Sequence, residues 1–395
     1  MDKKNKNPNV PNLRFKNFND NWCKYSILDL GTMNRGISKH RPRDDEKLYG
    51  GEYPFIQTSN VKNSNLFITD FDKTYSDIGL KQSKLWKKGT LCITIAANIA
   101  DTALLGIDAC FPDSIIGWNS NNLTSNLFIK YYFDFYKNSL IKLSVGGAQD
   151  NLNLDKLKKL KLSIPSLPEQ EKIKLFLQKL DERIETQSKI INSIESQIRT
   201  INNHIASDST TSKLDIASLF HIKTSNKLVE SNTGKFCIVD MGTIDANGNY
   251  ITGKYTDDET SLIPYGTLVM PKDDIGGGKI ICKTMCINSS NKYALSDHVF
   301  ALKLKNDNYN PVYFSALINL QYNNHKLKKL VTGSAQLGIN QENLNRYTLS
   351  FSDSLELQHK YSELIIRLNE KLIIEKRLLD LFSSQKKYLL KNMFV

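Results

Sequence analysis

Ile173, Leu177, Leu180, Ile184, Gln187, Ile191, Ile194, Ile198, Ile201 and Ile205 alternate steps of four and three residues, and only Gln187 is polar. That spacing is the a/d seam of a coiled coil. Adding 188 to each number gives Tyr361, Ile365, Leu368, Leu372, Glu375, Leu379, Phe382, Lys386, Leu389 and Met393. The seam therefore recurs, with a polar interruption at the same place, Gln187 in one stretch and Glu375 in the other. Neither stretch contains Pro or Gly past residue 168 or 338. The pattern predicts two helices of about 33 residues and about 50 Å each, which pack on one another as spacers. The plainer alternative has each helix packing only on its own domain.

The remaining chain is short and β-leaning in its apolar runs: Pro54 to Val61, Thr90 to Ile95, Leu127 to Phe133, Cys237 to Met241, Thr267 to Met270 and Val299 to Leu304. Turn signals at Tyr49-Gly50-Gly51, Ala246-Asn247-Gly248 and Gly276-Gly277-Gly278 separate them. Leu154 to Lys161 reads as a strand or as a short basic helix. These runs are also written twice. Gly146-Gly147-Ala148-Gln149, followed by Leu152-Asn153 and Leu157, matches Gly333-Ser334-Ala335-Gln336, Ile339-Asn340 and Leu344 at an offset of 187. Gly89-Thr90-Leu91 matches Gly266-Thr267-Leu268 at 177, and Ile27 and Leu30 match Ile216 and Leu219 at 189. An offset that shrinks and recovers means that framework segments correspond while loops differ in length, and such loops can carry two different specificities.

The fold class is therefore α+β, with two similar globular domains, each followed by a long helix. The expected boundaries are an N-terminal segment 1–21, a first domain 22–165, a first helix 166–206, a polar linker 207–213, a second domain 214–352 and a second helix 353–395.

Length supports this division, since 395 residues and 45.0 kDa exceed one ordinary domain. The chain is 40% hydrophobic and 24% charged, which excludes wholesale disorder. Its 53 Lys+Arg against 41 Asp+Glu give a formal charge of +12, which favours a polyanionic partner. Met1 to Asn21 has no apolar core for a signal peptide, and Leu91 to Phe111 is interrupted by Asn98, Asp101 and Asp108, so no membrane association is expected. Six cysteines without paired spacing fit reduced thiols in a cytoplasmic protein; Cys282 and Cys286 lack a second ligand pair for zinc.

Catalytic patterns fail one by one. Asn310-Pro311-Val312-Tyr313 misses the second Pro of the amino-methyltransferase box and reads better as the first turn of a helix through Leu320. Gly276-Gly277-Gly278-Lys279 lacks the first Gly and the Ser/Thr of a phosphate loop. Pro112-Asp113 has no nuclease partner pair after it, and the six histidines are dispersed. No catalytic residue and no metal site is expected, and the chain reads as a non-enzyme.

Features suited to DNA are present. Lys39, His40, Arg41 and Arg43 form a basic loop in the first domain, which contacts DNA or is a plain solvated charge cluster. The matching place in the second holds Lys223 and Lys227, and Lys272, Lys279 and Lys283 flank the Gly-rich turn. Lys and Arg neutralise phosphates or take guanine edges, and Asn or Gln can pair with adenine, which adds Gln57. Gln149 and Gln336, in the repeated turn, either contact DNA or order the passage into the helix.

Together these residues resemble the specificity subunits of type I restriction–modification systems. The resemblance rests on Tyr49-Gly50-Gly51-Glu52-Tyr53-Pro54-Phe55-Ile56, Gly79-Leu80-Lys81, Lys88-Gly89-Thr90-Leu91, Gly147-Ala148-Gln149-Asp150-Asn151-Leu152, Ile164-Pro165 and Glu169-Gln170-Glu171-Lys172-Ile173, and on Ser334 to Ile339 in the second half. There the Ile-Pro pair is replaced by Phe351-Ser352 and Pro168 by Leu355. The resemblance covers about 22 to 393. It implies two target-recognition domains that read the halves of a bipartite, asymmetric duplex DNA target, with the helices paired antiparallel as a ruler. It also implies two methyltransferase (modification) subunits as partners, which carry the S-adenosylmethionine cofactor this chain lacks, and restriction (nuclease–translocase) subunits joined through them. The rival from a different class is a coiled-coil adaptor that binds no DNA.

Overall fold

The computed structural model describes residues 9–144, 152–207, 211–245, 248–251, 253–275, 277–334 and 336–395. They form two compact units, Met1–Lys189 with Lys376–Val395, and Ile190–Glu375.

The first unit is built on a five-stranded sheet in the order Gly31–Arg35, Ile115–Ser120, Leu91–Thr94, Thr102–Leu105, Phe67–Ile68. All neighbours are antiparallel except the last pair. Side chains alternate across it. Leu91, Ile93, Leu104, Ile116 and Trp118 meet the helix Asn126–Ser144 on one face, while Cys92, Ala103, Leu105 and Ile115 meet Trp86 and Phe111 on the other. A ribbon of Cys23–Ser26 with Lys161–Ile164 leads to the first long helix.

The second unit repeats the plan. Its main sheet runs Phe220–Lys223, Val299–Leu304, Leu268–Pro271, Met285–Cys286, all antiparallel. The ribbon is Thr211–Asp215 with Thr348–Ser352. The amide of Ile27 donates to Leu160 O at 3.0 Å, and the amide of Ile216 to Tyr347 O at 2.9 Å. Tyr132 accepts from the Ser163 amide at 3.2 Å, and Tyr313 from the Ser352 amide at 2.9 Å. Asn153 and Asn340 cap the short helices Leu154–Lys158 and Gln341–Asn345, accepting from Lys156 and Asn343 at 2.8 and 2.7 Å. The repeated Leu-Asn and Ile-Asn pairs are thus helix starts.

Several sequence expectations need correction. Leu127 to Phe133 is helical, not a strand; Phe128, Ile129, Tyr131, Tyr132 and Phe133 are all buried, and a continuous apolar run does not separate a buried helix from a buried strand. Pro54 to Val61 divides into the end of strand Tyr49–Phe55 and the helix Thr58–Asn63. Gly50-Gly51 is a bulge inside that strand, where the register against Lys73–Tyr75 shifts between Tyr49 and Tyr53. Leu154 to Lys161 resolves into the short helix followed by the strand Lys161–Ile164. Thr211 to Lys213, read as linker, already belong to a ribbon strand because that strand pairs with Thr348–Ser352. Asn310 does cap a helix, Pro311–Asn319, with Pro at its first turn.

The long helices span Leu167–Ser207 and Leu355–Met393, 41 and 39 residues, or roughly 60 Å each. Both are longer than the 33-residue seam stretch because each begins about six residues before its first seam position, and both lie close to the expected bounds 166–206 and 353–395. No seam position on either helix is exposed. In the first unit Ile173, Leu177, Leu180, Leu389 and Met393 share one core, with Ile184 and Phe382 packed against it. There Lys386 Nζ lies 2.6 Å from Asp181 Oδ1, and the Arg183 guanidinium lies 4.4 Å from the centre of the Phe382 ring. The later residue on one helix meets the earlier on the other, so the pair is antiparallel. In the second unit Ile205 and Ile365 share a core that Ile201 and Tyr361 adjoin. Ile191 and Ile194 are buried, and Ile198, Leu368, Leu372 and Leu379 are half-buried. Gln170 and Gln358 anchor the helix starts. Gln170 donates to Leu123 O and Pro165 O, both at 3.0 Å, and Gln358 donates to Ser352 O at 2.8 Å.

Candidate nucleic-acid interface

In each unit two neighbouring strands of the duplicated sheet form a hairpin, Leu91–Thr94 with Thr102–Leu105 and Leu268–Pro271 with Met285–Cys286. The connecting loops differ in length and sequence, but each is braced from within by one buried side chain. In the first, Thr94 Oγ1 donates to Asn98 O and accepts from the Asp101 amide at 3.0 Å. In the second, Asp274 Oδ2 accepts from the Ile280 and Ile281 amides at 2.9 and 3.3 Å. Gly277 and Gly278, at φ of 77° and 78°, supply the left-handed backbone that this closure needs.

The segment that follows the repeated motif is tied to the same loop in both units. The Leu152 amide donates to Ile95 O at 3.2 Å, and the Ile339 amide to Lys272 O at 2.9 Å. In the second unit the tie extends into strand pairing, Asp273 with Gly338 and Asp274 with Leu337. Lys272, Lys279 and Gln336 are thereby carried on two adjoining loops. Lys279 and Gln336 are exposed, whereas Lys272 is half-buried and paired with Asp273 at 3.0 Å. An open cavity of about 440 Å³ beside them is lined by Thr224, Lys272, Asp273, Phe300, Thr332 and Gln341, among others. His298 Nδ1 lies 2.9 Å from Asp273 Oδ2.

Other candidates are placed differently. Lys283 is turned inward, its Nζ donating to Asn319 O at 3.3 Å; burial and the nearby Lys328 push its pKa down. Lys223 ends an outer strand and is exposed, and exposed Lys227 borders a separate cavity of about 220 Å³ with Glu230, Asp240 and Lys254. In the first unit the basic loop is largely folded on itself. Arg43 pairs with Asp113 at 2.8 Å, His40 Nε2 lies 2.8 Å from Asp45, and Arg41 donates to Ser38 O and His40 O, both at 2.8 Å. Among the described residues Lys39 alone of this loop has no side-chain partner. Gln57 is half-buried in the turn before Thr58–Asn63, where its amide donates to Asn60 Oδ1 at 2.8 Å. Gln149 lies outside the described residues.

The bracing residues Thr94 and Asp274 were not singled out by sequence, and only the position of Asp274 just before a glycine run signals its role. Burial pushes the thiols of Cys282 and Cys286 up to about 12, so neither is a thiolate at neutral pH. Among the described residues no helix is long and apolar enough to cross a membrane.

Comparison with known proteins agrees with this architecture. A putative type I restriction enzyme specificity subunit of Haemophilus influenzae is 38% identical over 157 residues, 39% of this chain; the chain spans about two fifths (40%) of that relative's length. The crystal structure of a type I restriction–modification S subunit from M. genitalium covers 98% of this chain and 99% of its own at 17% identity, with a TM-score of 0.69. A chain from a structure addressing complex assembly and conformational transition of the type I R–M system covers 94% of this chain and 97% of its own at 10% identity, with a TM-score of 0.53. At such identities both likenesses concern the fold. The family described as the type I restriction modification DNA specificity domain matches twice, at residues 19–196 and 209–381, once for each copy of the repeated sheet and helix, and the chain belongs to that family.

Proposed function

We propose that the chain is the DNA-reading specificity subunit of a type I restriction–modification complex, with one unit for each half of a bipartite, asymmetric target. The observation that carries this reading is the duplicated sheet, in which four strands recur in the same order while the hairpin loops differ. A shared frame with unlike loops suits two unlike half-sites, and the long paired helices suit a fixed gap between them. The net charge of +12 suits a phosphate backbone.

The chain itself is non-catalytic in this reading. Methyl transfer belongs to two methyltransferase subunits that carry S-adenosylmethionine, and restriction subunits join through those, in the cytoplasm. Exposed apolar side chains on the second long helix offer the contact. Ile373 and Ile374 are 54% and 57% exposed, and Leu381 and Tyr388 are 63% and 60% exposed, all off the seam. Helices of the methyltransferase subunits cover them, since patches of this kind mark interaction sites.

The test is co-expression with the neighbouring methyltransferase subunit in a methylation-free host, followed by mapping of N6-methyladenine. The expected result is one split, asymmetric motif, half of which changes when either unit is exchanged. A soluble complex that binds duplex DNA without new methylation removes methylation targeting. Absence of both complex and DNA binding replaces the reading with a coiled-coil adaptor.

A further inference from the structure

The geometry points to the tips of the two braced hairpin loops as the base-reading elements, with Asn98 setting specificity in the first unit and Ile275 with Lys279 in the second. This rests on the DNA-reading function proposed above and deepens it to named residues.

Three observations lead there. The frame beneath each tip is held rigidly and in the same way. A buried side chain, Thr94 or Asp274, closes the loop from inside, and a backbone hydrogen bond from Leu152 or Ile339 fixes its base. The first loop even holds Ala97 and Ala100 in the left-handed region, at φ of 59° and 63°, which residues with a Cβ keep only where the surroundings impose it. Such preorganisation serves a loop whose tip must meet a partner in one fixed geometry.

The tips themselves are unlike and unengaged. Among the described residues neither the Asn98 amide group nor the Lys279 ammonium has an intramolecular partner. Ile275 is 65% exposed, although the core beside it is closed over Ile281 and Cys282. These side chains match what base edges offer. An Asn amide pairs with N6 and N7 of adenine, a Lys ammonium takes O6 and N7 of guanine, and an aliphatic group packs on the thymine methyl.

The competing element in the first unit, the 39–43 loop, is poorly placed for this task. Arg43, Arg41 and His40 are turned to Asp113, to backbone carbonyls and to Asp45. Exposed Lys39 and Lys223 remain suited to phosphates, which position the protein without selecting sequence.

The experiment uses the full chain in its methyltransferase complex and compares wild type with Asn98→Ala, Ile275→Ala, Lys279→Ala and Lys223→Ala by methylation mapping and by fluorescence anisotropy on duplexes with single base-pair changes. Asn98→Ala is expected to cut discrimination about 10- to 100-fold at one or two positions of one half-site and leave the other half intact. Ile275→Ala and Lys279→Ala are expected to relax the opposite half, and Lys223→Ala to weaken all duplexes alike. If a tip variant abolishes methylation, its anisotropy ranking decides: a flattened ranking at one half-site supports the inference, and an unchanged ranking overturns it. Tip variants that write the wild-type motif, or that disturb both halves at once, also overturn it. A wild-type complex that writes no split motif is a different failure, because it removes the parent reading and this inference with it.

Discussion

The Ile339 amide donates to the carbonyl of Lys272 at 2.9 Å, and that bond docks the segment after the repeated motif onto the Gly-rich loop of the second unit. Its counterpart, Leu152 to Ile95 at 3.2 Å, makes the same join in the first unit. In both copies a sequence repeat thus marks a place where the chain grips a loop that differs between the two units. The repeated segment is framework, and what it grips is free to differ.

The brace inside the second loop is open to a direct test. Asp274 is 1% exposed and accepts two backbone amides that otherwise face the interior unpaired. Asp274→Ala is expected to cost about 2–4 kcal/mol, since each stranded buried donor costs on the order of 1–3 kcal/mol. Asp274→Asn keeps one acceptor oxygen and should cost less. Urea denaturation gives the loss, and hydrogen exchange at Ile280 and Ile281 should localise it; unchanged protection at those amides would show that the carboxylate does not close the loop.

Glycine in the repeated turn is required by contact as well as by torsion. Gly333 sits at φ +101°, and a Cβ there would lie 2.0 Å from Gln336 O, whereas at Gly277, φ +77°, a Cβ would meet nothing within 4 Å. Gly277→Ala is expected to lose about 1–2 kcal/mol from the left-handed torsion alone. Gly333→Ala must also move backbone, so its melting temperature should fall distinctly further. Equal losses for the two variants would mean that the turn relaxes without strain.

How much of this was visible in the sequence follows from the kind of signal each part leaves. The long helices are legible because a seam of alternating fours and threes repeats over many turns, and even the polar seam position Lys386 falls where the period puts it. The duplication is legible through residues that have one structural solution: Asn153 and Asn340 as caps, and Gly89 and Gly266 at φ of 86° and 75°. The helix Asn126–Ser144 was hidden because its buried run carries no period. Candidate contacts were the least legible. Charge in the sequence does not say whether Arg43 faces DNA or Asp113, nor that Lys283 turns inward to Asn319, because those outcomes depend on partners far along the chain.

The seam charge of the first unit should fix helix register. Lys386 Nζ lies 2.6 Å from Asp181, which also accepts from the Tyr131 hydroxyl at 2.8 Å, and Lys130 pairs with Asp134 beside them at 2.6 Å. Lys386→Met alone leaves a buried carboxylate without its cation and is expected to cost about 2–4 kcal/mol. The pair Asp181→Asn with Lys386→Met keeps an acceptor for Tyr131 and removes both charges, so it should recover much of that loss. A double-mutant cycle reads the coupling, expected at about 1–3 kcal/mol; additivity would mean that the ion pair holds nothing in place.

Buried tyrosines predict how the two units respond to alkali. Burial pushes Tyr132 up to about 12 in the first unit, and burial with the neighbouring Tyr322 pushes Tyr347 up to about 12 in the second. The ordinary value for both is 10.0. Between these values the unfolded chain releases the phenol proton while the folded chain keeps it, so the folded state binds more protons and stability falls as pH rises. The contribution is complete below pH ~10 and is lost as pH climbs through the folded values near ~12. Tyr347→Phe removes one titrating group and should flatten the decline of stability between those limits, at a fixed cost from losing its 2.9 Å bond to Asn323 Oδ1. Urea midpoints measured at neutral pH and at two alkaline points separate the fixed cost from the slope. A Tyr347→Phe slope equal to that of wild type would show that its hydroxyl titrates normally and is not held protonated by the core.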